Sequence, residues 1–510
     1  MIRLTDRRRL VRGALLAVLL AVPAPPLLSQ ASDPNASPPP PASHAELSGD
    51  IDRFATYDLF GNREPRYSRW NPYQQNPLKG DFPIFGDTGF LEVFARVNSN
   101  TKYFRKPGTG FDPDDIEKNN VFLGFEIKKD EDTFHPSPLK FRMLGNFQAV
   151  SPSALTGVVS EKGTLQEAVV TVRLFEVGGN FNLSFFEGGL RNFRSDLNGL
   201  IFNDTLEEGR IFGEFRKNLW RYSVAVGHTL PKDPASKLVS FNKDLPNTNQ
   251  LIGAIAVQRD DLVPGWNAEF SLHANQDRRA ADLDVEYAGV AFFGHVGRFI
   301  VQPAVYYAFG QDDLNPVSGS QQDISAYLGF LDVRYPTDFA VWRVGALYAS
   351  GDSDPSDGNA GGFDSISDSV NVFGGPGSIF VGDQIALPGG QVVINANSAL
   401  PSLRGAGGRS NFVNPGIFVQ NVGADFVLTP KVSATANVNH VSFVDTAVLG
   451  AGIDKDAGLE GNIGVRWRPL LNENFVVEGA AAYLKPGDGL KSLIGNDSAY
   501  SVFINFLVVY

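Results

Sequence analysis

The chain has 510 residues, of which 43% are hydrophobic and 20% are charged, and its formal net charge is −12 at pH 7. This acidic balance argues against nucleic acid as a partner, because a phosphate backbone is bound by an excess of Lys and Arg. Cysteine is absent, which excludes disulfide and thiolate chemistry and a lipoprotein-type signal. The length is too great for one small soluble core but suits a single large barrel with long loops.

The first 31 residues have the order of a secretory signal peptide. Five arginines precede a short apolar run at 13–23, and Ser29-Gln30-Ala31 follows as a candidate cleavage site. The run is shorter than the roughly 20 residues that a membrane-spanning helix needs. Residues 32–46 are rich in Pro, Ser and Ala, which predicts a disordered linker.

Residues 47–89 differ in composition from both the linker and the strands that follow. The stretches 66–73 and 76–86 are rich in aromatic residues and Pro, and they carry charges of both signs. Because the segment leads directly into the first strand, we expect it to plug or brace the periplasmic mouth of the barrel predicted below. Docking of a periplasmic partner is the alternative.

From residue 90 onwards, apolar and polar residues alternate in segments of roughly 8–13 residues, the length that a tilted strand needs to cross a bilayer. Charged or amide residues interrupt every apolar run before about 18 residues, so no transmembrane helix is predicted. A membrane protein without such helices closes its backbone hydrogen bonds as a barrel. The predicted strands are 90–102, 120–130, 139–149, 167–176, 180–192, 209–217, 220–230, 250–259, 266–275, 282–294, 298–309, 323–334, 339–349, 416–428, 432–443, 458–468, 474–484 and 499–510.

The connections between these strands alternate in length. Short connections follow even-numbered strands and long ones follow odd-numbered strands, except that the short 276–281 follows the ninth strand. Outer-membrane barrels have short periplasmic turns and longer outer loops. The sequence therefore predicts an all-β fold over residues 90–510, a single transmembrane antiparallel β-barrel of about 18 strands. Pro303 removes a ladder hydrogen bond from the eleventh strand, so we expect a β-bulge there.

The last predicted strand has one wholly apolar face, because successive strand residues point to opposite sides. This ending resembles the C-terminal strand of bacterial outer-membrane β-barrels, and we expect it to pair with the first strand and close the barrel. The last strand of a soluble β-sandwich is the alternative interpretation. The residues of the apolar face are Tyr500, Val502, Ile504, Phe506, Val508 and Tyr510.

A wider resemblance covers residues 57–510. The strand count, the apolar ending and the junction at 348–355, with Gly362-Phe363-Asp364 after it, resemble large outer-membrane porins and the alginate-export type in particular. The resemblance implies a bacterial outer-membrane location, contact with outer-membrane lipid and insertion by the barrel assembly machinery. An exporter of a polyanion should present mostly Arg and Lys to its lumen, and the acids predicted for strands nine and ten depart from that pattern.

Alternation along each strand also predicts which charged side chains face the lumen, where they would select solutes. Bases dominate strands three to six and acids concentrate on strands nine and ten, which predicts a field across the pore that favours small polar solutes of either charge. Solvated, mutually paired lumen charges without a selective role are the alternative. The candidate pore-lining residues are Arg96, Arg142, Arg173, Arg210, Arg216, Glu269, Asp282, Asp284, Glu286, Arg298, Arg343 and Arg466.

The long loop at 350–415 holds the densest group of acids. Its aspartates, spaced around glycines, are the oxygen ligands that Ca²⁺ prefers, although their spacing does not match an EF-hand; a solvated acidic loop is the alternative. The apolar stretches 378–387 and 391–394 predict that part of the loop folds into the barrel mouth as a constriction. The candidate calcium ligands are Asp352, Asp354, Asp357 and Asp364.

Enzyme motifs are missing from the sequence. It contains no Gly-x-Ser-x-Gly, His-Glu-x-x-His or phosphate loop, and its six histidines are scattered. The sequence therefore predicts a non-enzymatic outer-membrane channel, a porin for passive diffusion or export of small polar solutes or oligosaccharides. A structural barrel that scaffolds a periplasmic or threaded partner protein is the alternative.

Overall fold

In a computed structural model, the protein forms one antiparallel β-sheet that closes on itself as a barrel. The predicted signal peptide and linker, and all of the 47–89 segment except residues 78–80 and 83–89, lie outside the described residues. The structure describes residues 78–80, 83–106, 111–130, 136–151, 160–176, 182–216, 219–232, 239–240, 249–279, 281–368, 372–383, 387, 400–404, 408–471 and 473–510.

The described residues form nineteen strands, and one of these, β14 (Asn359–Ala360), is a two-residue strand in a loop. The remaining eighteen build the barrel wall, and each overlaps one predicted segment, so the predicted fold class and strand number are confirmed. The wall strands are β1 (Gly89–Lys106), β2 (Phe111–Lys129), β3 (Leu139–Ser151), β4 (Ser160–Glu176), β5 (Leu183–Arg194), β6 (Asn203–Phe215), β7 (Trp220–Thr229), β8 (Gln250–Val263), β9 (Trp266–Asp277), β10 (Leu283–Val296), β11 (Phe299–Asp312), β12 (Gln322–Pro336), β13 (Ala340–Ala349), β15 (Ile417–Thr429), β16 (Val432–Ser442), β17 (Asp456–Trp467), β18 (Phe475–Pro486) and β19 (Ala499–Val509).

The first and last strands close the barrel, as the sequence predicts. They pair antiparallel in a continuous register that runs from Arg96 opposite Val509 to Arg105 opposite Tyr500. At the end of this seam the Tyr510 amide donates a hydrogen bond to the Ala95 carbonyl at 2.8 Å. Pairing of β1 with β19 leaves no free sheet edge along the seam, which a lipid environment requires.

The outer surface of the barrel is apolar and its interior is polar. Val422, Ile463 and Phe147 point outward and are 60–62% exposed, whereas the inward-facing Asn439 and Asn505 are at most 1% exposed. A soluble sandwich would bury its apolar face, so that alternative is wrong. The outward apolar surface belongs in lipid, which places the protein in the bacterial outer membrane. None of the described helices is long and apolar enough to span a membrane.

Connection lengths differ between the two ends of the barrel, here named the turn end and the loop end. Two residues join β15 to β16 at the turn end, whereas residues 350–416 join β13 to β15 at the loop end. Short elements occupy the loops: β14, which pairs parallel to β12, 3-10 helices at Gly375–Gly377 and Ala447–Leu449, a π-helical turn at Ile379–Asp383, and the helix α1 (Asp488–Ile494).

The prediction of a β-bulge at Pro303 is wrong. On the ladder between β10 and β11, Ala291 lies opposite Ala304 and Gly294 lies opposite Val301, so three residues advance on each strand and none is extra. The pairing is interrupted between these two points and resumes in the same register. A proline can therefore be accommodated by omitting ladder bonds locally rather than by inserting a residue.

Replacing Phe506 with Asp should impair assembly of the barrel. Phe506 lies on β19 opposite Ser99 and Val477, and it is 43% exposed on the outer face. A charged group on the lipid side of a barrel costs about 1–3 kcal/mol, depending on depth. The measurement is the fraction of heat-modifiable, folded protein in isolated outer membranes. Asn100→Asp on the inward face of β1 is the control, and equal assembly of both variants would contradict the assigned orientation.

Candidate solute pathway and its constriction

A loop between β5 and β6, residues 195–202, folds into the barrel and is named here the short inward loop. The Leu197 amide donates to Glu269 Oε1 on β9 at 2.8 Å, and the Tyr306 hydroxyl on β11 donates to Asp196 Oδ2 at 3.1 Å. Glu269 and Tyr306 both point inward. Because β5 and β9 are four strands apart, this loop reaches across part of the barrel interior.

The fold of the short inward loop is organised by Asp196. Its carboxylate accepts hydrogen bonds from the amides of Leu200 at 2.9 Å and Ile201 at 3.1 Å, and the residue is 3% exposed. Leu200, Ile201 and Phe202 are almost completely buried. Sequence reasoning missed this inward loop, although the apolar run Leu200-Ile201-Phe202 shortly after an acid was the available signal.

The loop between β13 and β15, residues 350–416, also enters the barrel and is named the long inward loop. Its Phe373 stacks on Phe330 of β12, with ring centroids 6.0 Å apart, and is fully buried. Gly345 of β13 makes room for this ring, since a Cβ there would lie 2.2 Å from Phe373 Cε1. The barrel wall therefore has a recess that receives an aromatic residue of the loop.

A buried carboxylate on β17, three wall strands from β13, holds the same loop. Glu460 Oε2 on β17 accepts hydrogen bonds from Ser378 Oγ at 3.1 Å and from the amides of Ile379 and Phe380, each at 2.9 Å. Asn462 Nδ2 donates to the other oxygen, Oε1, at 2.8 Å. Glu460 is fully buried. It satisfies backbone donors at the start of the π-helical turn that the barrel interior would otherwise leave unpaired.

An internal ion pair gives the long inward loop its own framework. Arg404 donates to both oxygens of Asp364, at 2.9 and 2.6 Å, and the Asn411 amide donates to Asp364 Oδ2 at 2.8 Å. Burial acts to lower the pKa of Arg404, but the adjacent Asp364 carboxylate outweighs it and raises this pKa above its ordinary value. The pair fixes two distant parts of the loop to each other.

The two inward loops join inside the barrel. The Ile366 amide donates to the Ile201 carbonyl at 3.0 Å, and the Asn203 amide donates to the Ser367 carbonyl at 2.7 Å. Together they form a bridge between the β5–β6 and the β16–β17 sides of the wall. The predicted inward folding of the loop is thus found for the apolar stretch around Ile379–Asp383, while residues 391–394 lie outside the described residues.

The predicted calcium ligands do not form one cluster. Asp352 is 2% exposed, Asp354 and Asp357 are exposed, and Asp364 is bound to Arg404. In the part of the chain that the structure describes, no three His, Cys, Asp or Glu residues are grouped to hold a metal ion. Asp364 does not belong in the predicted set, because its charge is already neutralised by an arginine.

Seven of the predicted pore-lining residues point into the barrel. Of these, Arg142 and Arg210 share an arrangement in which the guanidinium lies on a Phe ring and also meets a carboxylate. Arg142 lies 4.3 Å from the Phe94 ring and 2.6 Å from Glu167. Arg210 lies 4.3 Å from the Phe212 ring and 2.8 Å from Glu187. The inward-facing residues are Arg96, Arg142, Arg173, Arg210, Glu269, Arg343 and Arg466.

The prediction that Asp282, Asp284 and Glu286 line the pore is wrong. Tyr287 points inward, opposite His273, and its ring meets Phe363 of the long inward loop at 6.0 Å. Its neighbours at even positions on and before β10 therefore face outward. The prediction assumed that the apolar side of a strand faces lipid, but on β10 the apolar side packs against a loop inside the barrel.

Arg216 and Arg298 are also corrected, because both lie in turns rather than in strands. Arg216 follows the last residue of β6, is exposed and has a φ of 54°. Arg298 precedes β11, is exposed and donates to the Pro336 carbonyl at 3.3 Å. Both side chains mark the rim at the turn end. The predicted strands 209–217 and 298–309 extended beyond the observed ends of β6 and β11, so these two turn residues were assigned to strands.

Several inward acids on the β9–β17 side of the barrel bind the inward loops. Glu269 and Glu460 bind the inward loops, and Asp312 at the end of β11 pairs with Arg409 of the long inward loop. These three acids of the β9–β17 side thus serve as anchors for the inward loops. The field across an open pore that the sequence predicts is not the arrangement found, because these acids lie beneath the loops.

No protein-family model matches the chain, and no curated protein sequence matches it. Solved structures do resemble it. The crystal structure of OccK8 (OprE) from Pseudomonas aeruginosa has a TM-score of 0.52 at 9% identity and covers 84% of this chain and 99% of its own. The fold is that of an outer-membrane porin. A BenF-like porin from Pseudomonas fluorescens Pf-5 has a TM-score of 0.50 at 10% identity and covers 83% of this chain and 98% of its own. These structures support the porin fold and lend no support to the alginate-export resemblance.

Glu460→Ala should release the long inward loop from the wall. The substitution removes the three hydrogen bonds that the loop donates to the Glu460 carboxylate, each worth about 1.5–3 kcal/mol. We expect hydrogen-exchange protection of the Ile379 and Phe380 amides to fall by about a hundredfold or more, since a factor of ten corresponds to about 1.4 kcal/mol. Glu167→Gln, an inward carboxylate on β4 bound to Arg142, is the control. Unchanged protection in Glu460→Ala would refute the anchoring role.

The first part of the long inward loop, from Ser350 to Phe363, should become less stable as the pH rises from about 4 to about 6. Burial raises the pKa of Asp352 from 3.8 to about 6, so the folded loop favours the protonated acid and loses stability as the carboxyl ionises within that window. Hydrogen exchange at the Phe363 amide, bonded to the Ser350 carbonyl, should report this loss after correction for intrinsic rates. Asp352→Asn should abolish the pH dependence, and Asp354→Asn, at an exposed carboxyl, should retain it.

Proposed function

We propose that the protein is a passive, non-enzymatic outer-membrane channel for small polar solutes, narrowed by two loops that meet inside the barrel. The observation that carries this proposal is the bridge between the Ile201 and Ile366–Ser367 segments within a closed eighteen-stranded wall. A barrel of this size is wide enough to hold water, and inward loops restrict the size of what can pass. Insertion of the barrel by the assembly machinery is part of the same proposal.

The wall formed by β1 to β6 is the favoured side for the solute pathway. Some of its ionic side chains retain contact with solvent: that of Arg191 is 39% exposed, that of Arg142 is 23% exposed and that of Lys128 is 18% exposed. The acids beneath the loops, by contrast, are close to fully buried. Solutes would therefore meet mainly the groups of the β1–β6 wall.

Bases outnumber acids on that wall. Nine basic and eight acidic inward side chains are described on these strands, a difference of one positive charge, and a positive wall raises the local concentration of anions. The bases are Arg96, Lys102, Lys118, Lys128, Lys140, Arg142, Arg173, Arg191 and Arg210, and the acids are Glu92, Glu126, Glu167, Glu176, Glu187, Asp204, Glu208 and Glu214.

A long polyanion such as alginate is not favoured as the solute. Arg142, Arg210 and Arg343 each have a carboxylate partner within 3.1 Å. A polyanion would need to displace these partners, and separating a partly buried ion pair is costly. Small solutes, including oligosaccharides, fit a wall in which the charges are already paired.

The scaffold alternative depends on the segment before β1, of which only a part is described. Within that part the Val93 amide donates to the Leu78 carbonyl at 2.7 Å, and Lys79 Nζ lies 4.1 Å above the Tyr510 ring. These contacts extend the β19 side of the seam, which favours bracing of the turn end over docking of a partner. Copurification of a stoichiometric partner would support the scaffold instead.

Purified protein in planar bilayers should give ohmic single-channel conductance with preference for chloride over potassium. Replacing both Arg96 and Arg173 with Gln should shift the reversal potential in a KCl gradient towards cation preference, because two inward charges are lost. Arg298→Gln removes the same kind of charge from the turn end and should leave the reversal potential nearly unchanged. A folded protein that gives no conductance would refute the channel, and equal shifts in both variants would refute the assigned wall.

A further inference from the structure

Six uncharged amide side chains form a continuous patch on the inner wall, named here the amide band. The register of four neighbouring strands brings them together: Asn98 lies opposite Asn120, Asn120 lies opposite Gln148, and Asn100 lies opposite Asn505. Such directly opposed side chains have Cβ atoms about 4.5–5.5 Å apart. The members of the band are Asn98, Asn100, Asn120, Asn146, Gln148 and Asn505.

The amide band faces the barrel interior. The outward positions on the same strands are taken by Leu123, Phe147 and Ile504, which are 43–60% exposed to the lipid side. Asn120 is 3% exposed and Gln148 is 6% exposed. An amide withdrawn from water in this way needs hydrogen-bond partners inside the barrel, and leaving it unpaired is costly.

Several polar atoms of the band have no partner among the described residues. Asn120 Nδ2 and Gln148 Oε1 are a donor and an acceptor on directly opposed residues, yet they do not bond to each other. The side-chain oxygen of Asn146 is likewise unpaired. Asn505 donates through Nδ2 to Glu478 at 3.1 Å, but its own Oδ1 is unpaired. Buried donors and acceptors are thus left without a partner among the described residues.

The chemistry of the unpaired atoms selects the class of ligand. They are neutral, so the band itself offers no net charge to an ion. A hydroxyl group both donates and accepts, so it can bridge Asn120 and Gln148 whichever way the two amides are oriented. Several such groups at neighbouring positions match a molecule with several hydroxyls.

We propose that the amide band is a binding site for neutral polyhydroxylated solutes, with sugars as the ligand class. The site rests on the proposed channel function and names the solute class that this wall recognises. The hydroxyls bind where Asn120 faces Gln148 and extend towards Asn146 on one side and Asn505 on the other. The ion pairs of the same wall then govern which inorganic ions pass, and the amides govern sugar binding.

The test uses maltose as the probe and the full-length folded protein. The variant Asn120→Leu/Gln148→Leu removes both opposed amides while keeping side-chain size. Asn119→Leu changes the neighbouring outward-facing amide on β2 and is the matched control. Maltose block of the KCl current gives an apparent dissociation constant. The maltose-dependent shift in thermal unfolding of the detergent-folded protein gives a second value that does not require an open pore.

We expect the double variant to weaken maltose binding at least fivefold in both measurements, with the control equal to wild type. Gln148→Met, close to glutamine in shape, serves in the same comparison if the double variant does not fold. Equal maltose binding in variant and wild type would refute the proposal that the amide band binds sugars. The same conclusion would follow if maltose had no effect on a wild-type protein that conducts. Neither result would refute the channel. An amide-dependent thermal shift in a protein that does not conduct supports the band and refutes the channel.

Discussion

Hydrogen bonding of the backbone in lipid is the constraint on which the rest of the structure depends. Within a bilayer an unpaired amide or carbonyl has no water to bind, so the sheet must close. Pairing of β1 with β19 achieves this closure, from Arg96 opposite Val509 to Arg105 opposite Tyr500. Once the sheet is closed, every strand has one side towards lipid and one towards the interior, and the alternation of the side chains follows.

The interior created by closure is then partly filled by the chain itself. Two loops bring apolar residues inside, and buried polar groups hold them there: Asp196 organises the short inward loop, and Glu460 binds the backbone of the long one. A carboxylate is suited to this role because it accepts several hydrogen bonds at once. The acids that bind the inward loops are therefore structural.

Strand positions and the inward folding of the long loop were both predictable from local pattern. Alternation over 266–275 and 458–468 identified the lipid-facing side correctly, and the apolar stretch at 378–387 indicated a buried loop segment. Prediction failed at Glu286, because its strand neighbour Tyr287 is apolar and yet points inward. A pattern of period two shows which residues share a side, but it cannot show whether lipid or a folded loop covers the apolar side.

The sequence by itself determined the number of strands, the polarity of their connections and the class of membrane protein, because these depend on properties of neighbouring residues. Only the tertiary structure decided which side of β10 faces inward, which acids anchor loops, and that Asn120 lies opposite Gln148. These features depend on strand register and on contacts between distant segments. A shift of one residue in register would exchange the two faces of a strand, and local sequence does not fix that register.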